Sequence, residues 1–200
     1  MNYFISDTHF FHTNIIKYCN RPFNSAQEMQ GTTVSNWKSK ITEKDHVFFL
    51  GDFCMNPSSY WVLGILPFDS MDFILGNHDK EKRLLKYLDC NPHIKSKIKI
   101  HRNLEIELKE QKFFLTHYPI ECSDTMPSIV GHSHNRFTFL PAGSTIKSIY
   151  RHNGGGEIVK VLKHPILNVG VDNFNFHPVS EDEVLKFFES KNITIVDVLE

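Results

Sequence analysis

Phe73-Ile74-Leu75-Gly76-Asn77-His78-Asp79 is the stretch on which the reading of this chain turns. An apolar run with the composition of a buried strand stops at a glycine. It then presents an amide, an imidazole and a carboxylate in three consecutive positions. Burying that much hydrogen-bonding chemistry without partners is costly, so three such side chains at a strand's end are aimed into a site rather than into a core. Working outward, the same pattern recurs. Asn2 to Ser6 reads as a first strand and runs into Asp7-Thr8-His9. Residues two apart on an extended segment point to the same side, so Asp7 and His9 can reach one metal ion. Asp45 to Leu50 is a second strand and runs into Gly51-Asp52. Lys112 to Leu115 is followed by Thr116-His117, and Pro127 to Val130 by Gly131-His132-Ser133-His134.

The segments between these strands read as helices and hairpins. Ile15 to Tyr18 is expected to be helical and is broken at Arg21-Pro22-Phe23. Ser25 with Glu28 forms a capping-box pattern that opens a helix towards Trp37 and Ile41. A short helical stretch is expected from Tyr60 to Ile65, and an amphipathic helix from Lys80 to Leu88. Ile94 to Arg102 alternates isoleucines with Lys95, Lys97, Lys99 and His101. That is the pattern of an edge strand protected by lysines, or else of a basic rail for a polyanionic substrate. Leu104 to Leu108 pairs with Lys112 to Leu115 around a Lys-Glu-Gln turn. Ser144 to Arg151 and Glu157 to Lys163 form a hairpin closed by Asn153-Gly154-Gly155-Gly156, a turn rather than a phosphate loop. Ile166 to Val169 is a further strand running into Gly170-Val171-Asp172-Asn173. A helix capped by Ser180 with Glu183 follows, and Ile193 to Val198 closes the chain as a strand.

Composition narrows the function class. Two hundred residues suit one well-buried domain, expected over 1–200, and are short for two. Twenty-two Lys and Arg against 23 Asp and Glu leave a net charge of −1, with no general attraction for nucleic acid or an anionic membrane. Cys19, Cys54, Cys90 and Cys122 form no CxxC pair, which favours reduced thiols in a cytoplasmic protein over a disulfide framework or a zinc ribbon. Met1-Asn2-Tyr3-Phe4-Ile5 carries no secretory pattern and no apolar run approaches about 18 residues, so a soluble protein with no membrane partner is expected.

Strands alternating with helices, then with hairpins, suggest an α/β domain with its ligands beyond the strands' carboxyl ends. Five strand exits carry Asp7 and His9, Asp52, Asn77 and His78, His117, and His132 and His134. This set is too large for one ion with an open coordination position. It fits two borderline divalent ions sharing a carboxylate, which in two-metal hydrolases lie about 3.5–4 Å apart.

The order DxH, GD, GNHD, H, GHxH resembles the calcineurin-like metallophosphoesterases at every element, over residues 7–134. Asn168-Val169-Gly170-Val171-Asp172 is similar to the closing strand of their small bacterial and phage-type members. The resemblance implies a four-layer β-sandwich of two mixed sheets flanked by helices, α/β or α+β in class. It implies a first metal held by Asp7, His9, Asp52 and His134, and a second by Asp52, Asn77, His117 and His132, with Asp52 bridging. His78 would stabilise the transition state and protonate the leaving oxygen, and Asp79 would hydrogen-bond His78 to orient it. Manganese is the expected metal, with iron, zinc, nickel and magnesium as alternatives. His12, Asn14 and Arg21 lie where they would meet the substrate phosphate. Phe10 and Phe11 suit core packing, or the stacking of a base. The implied activity is phosphoric ester hydrolysis, as a phosphodiesterase acting on a small nucleotide, a cyclic nucleotide or a nucleic-acid end through a metal-bridging hydroxide. The alternative is a catalytically silent metal-binding scaffold or interaction module on the same fold.

Overall fold

A computed structural model describes residues 1–150 and 156–191. Four strands, β1 (Asn2–Ile5), β2 (His46–Phe49), β3 (Ser70–Ile74) and β4 (Ile98–His101), lie side by side and parallel, the first three with buried apolar residues on both faces at their carboxyl ends. Near-continuous apolar runs are what a parallel sheet covered on both faces requires. Helices make the crossovers: α1 (Thr13–Tyr18) and α2 (Ala26–Lys40), then a 3₁₀ helix over Pro57–Gly64, then α3 (Glu81–Asp89) and α4 (Pro92–Lys95). Ile5, Val47, Phe49, Met71 and Phe73 project to the helical side, against Trp37, Leu84 and Leu88. Their neighbours Phe4, Phe48 and Ile74 project to the opposite side, onto the second sheet.

That second sheet contains β5 (Asn103–Leu108), β6 (Gln111–Thr116), β7 (Ser128–Val130), β8 (Phe139–Leu140) and β11 (Ile166–Asn168), ordered β5-β6-β7-β11-β8 with both parallel and antiparallel pairs. Phe113, Leu115, Ile129 and Leu167 fill the inter-sheet core. Between β8 and β11 the chain makes an antiparallel hairpin of β9 (Thr145–Tyr150) and β10 (Gly156–Val161). Ile146 and Leu162 from this region pack with Val130 and Ile166 of the second sheet. Finally, β12 (Val179–Ser180) pairs antiparallel with β1, giving the first sheet its fifth strand, and α5 (Glu181–Lys191) sends Val184, Leu185 and Phe188 into the inter-sheet core. The architecture is a sandwich of two five-stranded mixed sheets with flanking helices, as expected from sequence. No helix among the described residues is long and apolar enough to cross a membrane.

Local chemistry sets the boundaries. Ser25 Oγ accepts the Glu28 N–H at 3.1 Å, while the Glu28 carboxylate reaches one residue further back, to Asn24 N at 2.8 Å. Before α5 the box is reciprocal: Ser180 N donates to Glu183 Oε2 at 2.7 Å and Glu183 N to Ser180 Oγ at 3.3 Å. The β5–β6 turn needs only Lys109 and Glu110, both with positive φ (44° and 70°), the conformation that matches strand twist in a two-residue hairpin. The strand expected from Ile94 instead begins at Ile98. Pro92 pre-sets a helical φ at the first position of α4, so Lys95 belongs to that helix. The expected basic rail is also neutralised in part, because Lys95 pairs with Asp89 at 2.8 Å and Lys97 with Glu43 at 3.1 Å. The turn at 153–155 and the strand expected over 193–198 lie outside the described residues.

Phe73 is fully buried with its ring 5.0 Å from that of Phe49. Phe73→Ala is expected to cost about 3–5 kcal/mol, read as a lower urea midpoint at unchanged slope. A loss under about 1 kcal/mol would contradict this packing.

Candidate metal centre

Because β1, β2 and β3 are parallel, their carboxyl ends lie together, and each hands the chain to ligand-type residues: Asp7 and His9, then Asp52, then Asn77, His78 and Asp79. The second sheet adds His117 after β6, and His132 and His134 after β7. The two sheets are joined here by backbone. Ser6 N donates to Val169 O at 3.2 Å and Val171 N to Ser6 O at 3.1 Å. The exits of β1 and β2 are also tied, through Asp7 N to Gly51 O and His9 N to Asp52 O, both at 3.0 Å.

Such crowding dictates glycine at two positions. Gly51 has φ +91°, and a Cβ there would lie 2.5 Å from His117 Nδ1 and 2.8 Å from Gly76 N. At Gly76 a Cβ would run into the Asp52 carboxylate and lie 2.6 Å from Asp52 N. The ligand-type residues themselves carry backbone strain. Asp7 (φ 59°), His9 (48°), Asp52 (58°), His132 (67°) and His134 (48°) all adopt the left-handed conformation. Non-glycine residues rarely do so, and such conformations, at roughly 1–3 kcal/mol each, persist where the surroundings enforce them.

Asp52 stands at the middle. Its Oδ2 is 3.5 Å from both His9 Nε2 and His117 Nε2 and 3.9 Å from His78 Nε2. Ligand atoms of Asp7, His9 and His134 lie within 4.8 Å of one another, and so do those of Asp52, His117 and His132. Asn77 Oδ1 joins the second group, 3.0 Å from His132 Nδ1. Residues singled out in the sequence at five strand exits are thus brought close together, in groups that could hold metal ions. His9, Asp52 and His78 form a further group of the same closeness, so His78 lies within ligand reach as well. The donor set is imidazole, carboxylate and amide, suited to borderline and hard divalent ions. One observation shows that the residues fit a cation: His9 Nε2 is buried without a hydrogen-bond partner, an orphan that native interiors seldom tolerate.

Surrounding groups fix how the ligands point. His117 Nδ1 donates to Leu50 O at 2.7 Å, which leaves Nε2 facing Asp52. His134 Nδ1 donates to Asp172 Oδ2 at 3.0 Å, which frees its Nε2 in the same way. Asp7 accepts from Ser6 Oγ at 2.6 Å and from His132 N at 2.9 Å. These contacts, with burial, set the protonation of the metal-free centre. Burial pushes the Asp7 carboxyl up and holds His9 well below the usual imidazole value. Burial also works against the charged forms of Asp52 and His117. Their mutual contact overrides it, lowering Asp52 and raising His117 to about 9. For His134, burial is likewise outweighed by Asp172, and its pKa rises to about 10. His132 falls to about 4 through burial and the nearby His117.

Three expectations change. Arg21 does not face substrate. It is 5% exposed, and its guanidinium donates to Asp172 Oδ1 (2.7 Å) and Oδ2 (2.8 Å), to the carbonyls of Asp7 (2.7 Å) and Thr8 (3.3 Å), and to Met29 Sδ (3.3 Å). It braces the β1 exit and holds the carboxylate that holds His134. Asp79 does not orient the His78 ring. It accepts backbone N–H groups from Asp52 (2.7 Å), Phe53 (3.1 Å) and Gly76 (2.9 Å), locking two exits together, and burial raises its pKa to about 6. The Phe-Phe pair divides: Phe10 is buried, whereas Phe11, at φ 62°, is turned outward. Of the other two residues expected at substrate, His12 adjoins the centre, its Nδ1 3.3 Å from that of His9, and Asn14 lies exposed in the first turn of α1. Sequence reasoning missed Asp172, although the strand-exit pattern before it was visible. It also missed Tyr118, whose ring flanks those of His117 and His132 at 4.9 and 5.1 Å.

Fold and cluster together define an α/β sandwich protein with groups of histidines and aspartates that could hold metal ions. The chain belongs to the same family as the uncharacterized protein MJ1445 of Methanocaldococcus jannaschii, with 32% identity over 197 residues that span 96% of this chain and 93% of that one. No family model matches it. Among solved structures, the protein of unknown function AQ665 from Aquifex aeolicus shares the fold, with a TM-score of 0.61 and 24% identity over 94% of this chain and 98% of that one. A novel archaeal phosphodiesterase matches at a TM-score of 0.44 and 19% identity, covering 84% of this chain and 82% of that one. That likeness is too slight to bear on function.

The raised pKa values of His117 and His134 favour the imidazolium form at pH 7 in the metal-free protein, and an imidazole that binds a metal must be neutral. Metal loading is therefore expected to release protons, those of His117 and His134 among them, and affinity should rise with pH from 6 to 9. Calorimetry in two buffers of different ionisation enthalpy measures this, and loading without proton release would contradict it. Asp172→Asn is expected to weaken metal affinity by about 10–100-fold, read by competition with a chelator. Unchanged affinity would remove His134 from the ligand set.

Proposed function

We propose that this protein is a metal-dependent phosphoric ester hydrolase of the calcineurin-like metallophosphoesterase type. Its substrates would be phosphodiesters: a small nucleotide, a cyclic nucleotide or a nucleic-acid end. The observation that carries the reading is the orphaned His9 Nε2, grouped with Asp7 and His134 and 3.5 Å from the Asp52 carboxylate, which itself groups with His117 and His132. Asp7, His9, Asp52 and His134 would hold one cation, and Asp52, Asn77, His117 and His132 the other. Two divalent cations there, manganese first among the candidates, would supply Lewis acidity and an activated water for in-line displacement at phosphorus.

The remaining roles belong to the chain's own residues. The backbone N–H of His78 is anchored to Asp52 Oδ1 at 2.9 Å. Its side chain stays 32% exposed at the mouth, with its ring 5.2 Å from that of His9 and 6.1 Å from that of His12. From there it can hydrogen-bond a phosphoryl oxygen and hand a proton to the leaving oxygen. His12, whose pKa burial lowers, is suited to accept a hydrogen bond beside it. The four cysteines are all free, in keeping with a cytoplasmic setting.

The deciding experiment is hydrolysis of bis-p-nitrophenyl phosphate with added manganese. Asp52→Asn is expected to lose turnover together with bound metal. His78→Gln should lose turnover, by roughly 10²–10⁴-fold, while keeping its metal. Loss of metal from the His78 variant would make His78 a ligand instead. Two bound metals with no turnover on any diester would favour the silent scaffold.

A further inference from the structure

Charge is unevenly placed along this chain. Residues 80–102 carry eight Lys and Arg against two acidic residues, in a protein whose net charge is −1. Three of the eight are answered by carboxylates: Lys95 by Asp89, Lys97 by Glu43 and Arg102 by Glu81. Of the other five, Lys80, Lys82, Arg83 and Lys86 lie at the start of α3 and along it. All four are exposed, and among the described residues none of them forms an ion pair. Because α3 turns Leu84 and Leu88 into the core, Lys82, Arg83 and Lys86 are left on its solvent side. Residues three and four apart on a helix are neighbours, so Lys86 sits beside both Lys82 and Arg83, and like charges so placed repel and weaken the helix. A repulsion with no acidic neighbour to relieve it is relieved by an anionic partner.

The row starts at the metal centre. Asp79, immediately before Lys80, is bonded to the backbone of Asp52, Phe53 and Gly76, and Asn77 and Lys80 are exposed on either side of His78 and Asp79. From there α3 extends over nine residues, about 13 Å at the usual helical rise. A mononucleotide held at the centre would leave most of this row unused, whereas a strand carries a phosphate at every nucleotide. A membrane fits less well, because surface-bound helices combine basic residues with apolar anchors, and Leu85 is the one large apolar residue that α3 exposes. Resting on the phosphoester reading above, we infer that the Lys82–Arg83–Lys86 face of α3, entered at Lys80, binds the sugar-phosphate backbone of a nucleic-acid strand whose reacting diester lies at the centre. Such contacts go to phosphates and carry no sequence information. A local patch attracts a polyanion even where the whole protein is near neutral, and a row of positive charge that tracks the backbone is how single strands are held.

Binding is measured by fluorescence anisotropy of a labelled deoxythymidine strand of about 15 nucleotides, with chelator present so that the strand is not cut. Three phosphates neutralised on a single strand give a slope of about −2 in log affinity against log salt, roughly a 16-fold loss between about 50 and 200 mM. Lys82→Gln, Arg83→Gln and Lys86→Gln together are expected to weaken binding about tenfold or more at the lower salt and to remove most of the slope. This variant should melt no lower than the unaltered protein, because the repulsion is gone. Lys38→Gln, Lys44→Gln and Lys186→Gln together remove the same charge from exposed positions elsewhere and should leave affinity and slope unchanged. An α3 variant that binds as well as the unaltered protein, or a control variant that loses as much, overturns the assignment. Tighter binding to vesicles containing phosphatidylserine than to the strand overturns it too, and gives the face to a membrane. The two readings fail separately. Hydrolysis of bis-p-nitrophenyl phosphate, which the α3 variant should retain, without strand binding removes the surface and leaves the enzyme. Strand binding through α3 in a protein that hydrolyses no diester keeps the surface and removes the phosphoesterase.

Discussion

Asp79 accepts three backbone N–H groups, and the presentation of the central carboxylate depends on them. Two of the donors, Asp52 and Phe53, leave β2, and the third, Gly76, leaves β3. A charge that deep is tolerable only when its lone pairs are filled, and amides at strand exits fill them. The exchange is mutual, because the bonds that satisfy Asp79 also hold the Gly51–Asp52 turn against Gly76, where neither glycine has room for a side chain. Asp52 is thereby pushed forward between His9 and His117. A second brace acts on the other flank. The Arg21–Asp172 pair clamps the carbonyls of Asp7 and Thr8 on one side and the His134 ring on the other. Buried ion pairs contribute little net stability but are costly to break, so the Arg21–Asp172 brace serves placement more than stability.

The strained backbone has its counterpart in these braces. Five left-handed, ligand-type residues are held by bonds that cross from strand exit to strand exit, and the two sheets meet where Ser6 pairs with Gly170. Apolar packing of Phe4, Phe48 and Ile74 against Phe113 and Leu115 fixes the sheets' separation. The centre inherits its geometry from that separation, since one sheet supplies Asp7, His9, Asp52 and Asn77 and the other supplies His117, His132 and His134.

Much of this was legible because the informative signals are local. An apolar run, a small residue and a ligand-type side chain fall within six or seven positions at Phe73–Asp79, and again at His46–Asp52. Such a pattern survives any tertiary context. The braces were not legible. Arg21 and Asp172 are 151 residues apart, and nothing beside Arg21 distinguishes a buried guanidinium from a phosphate-binding one. Asp79 adjoins His78 in sequence, yet the chain turns so that its carboxylate faces backbone from another strand. At Ile94–Lys97 the alternation was real, but the chain is helical to Lys95 and turns before Ile98, because Pro92 outweighs period-two patterning over so short a stretch. Phe10 and Phe11 part company only through a φ of 62° at Phe11, which composition does not reveal.

Where the ligand-type residues fall along the chain also bears on how the protein comes to exist in a cell. They run from residue 7 to residue 134 and from one sheet to the other, so the centre rests wholly on long-range contacts, the kind that form late in folding. A chain emerging from the ribosome shows Asp7 and His9 long before His132 and His134 are made. Until the sandwich closes, it offers cations isolated weak ligands rather than a chelating set. Any choice of metal would thereby be deferred to a finished protein of fixed geometry, where the ion most available at that moment would compete on the terms the folded centre sets.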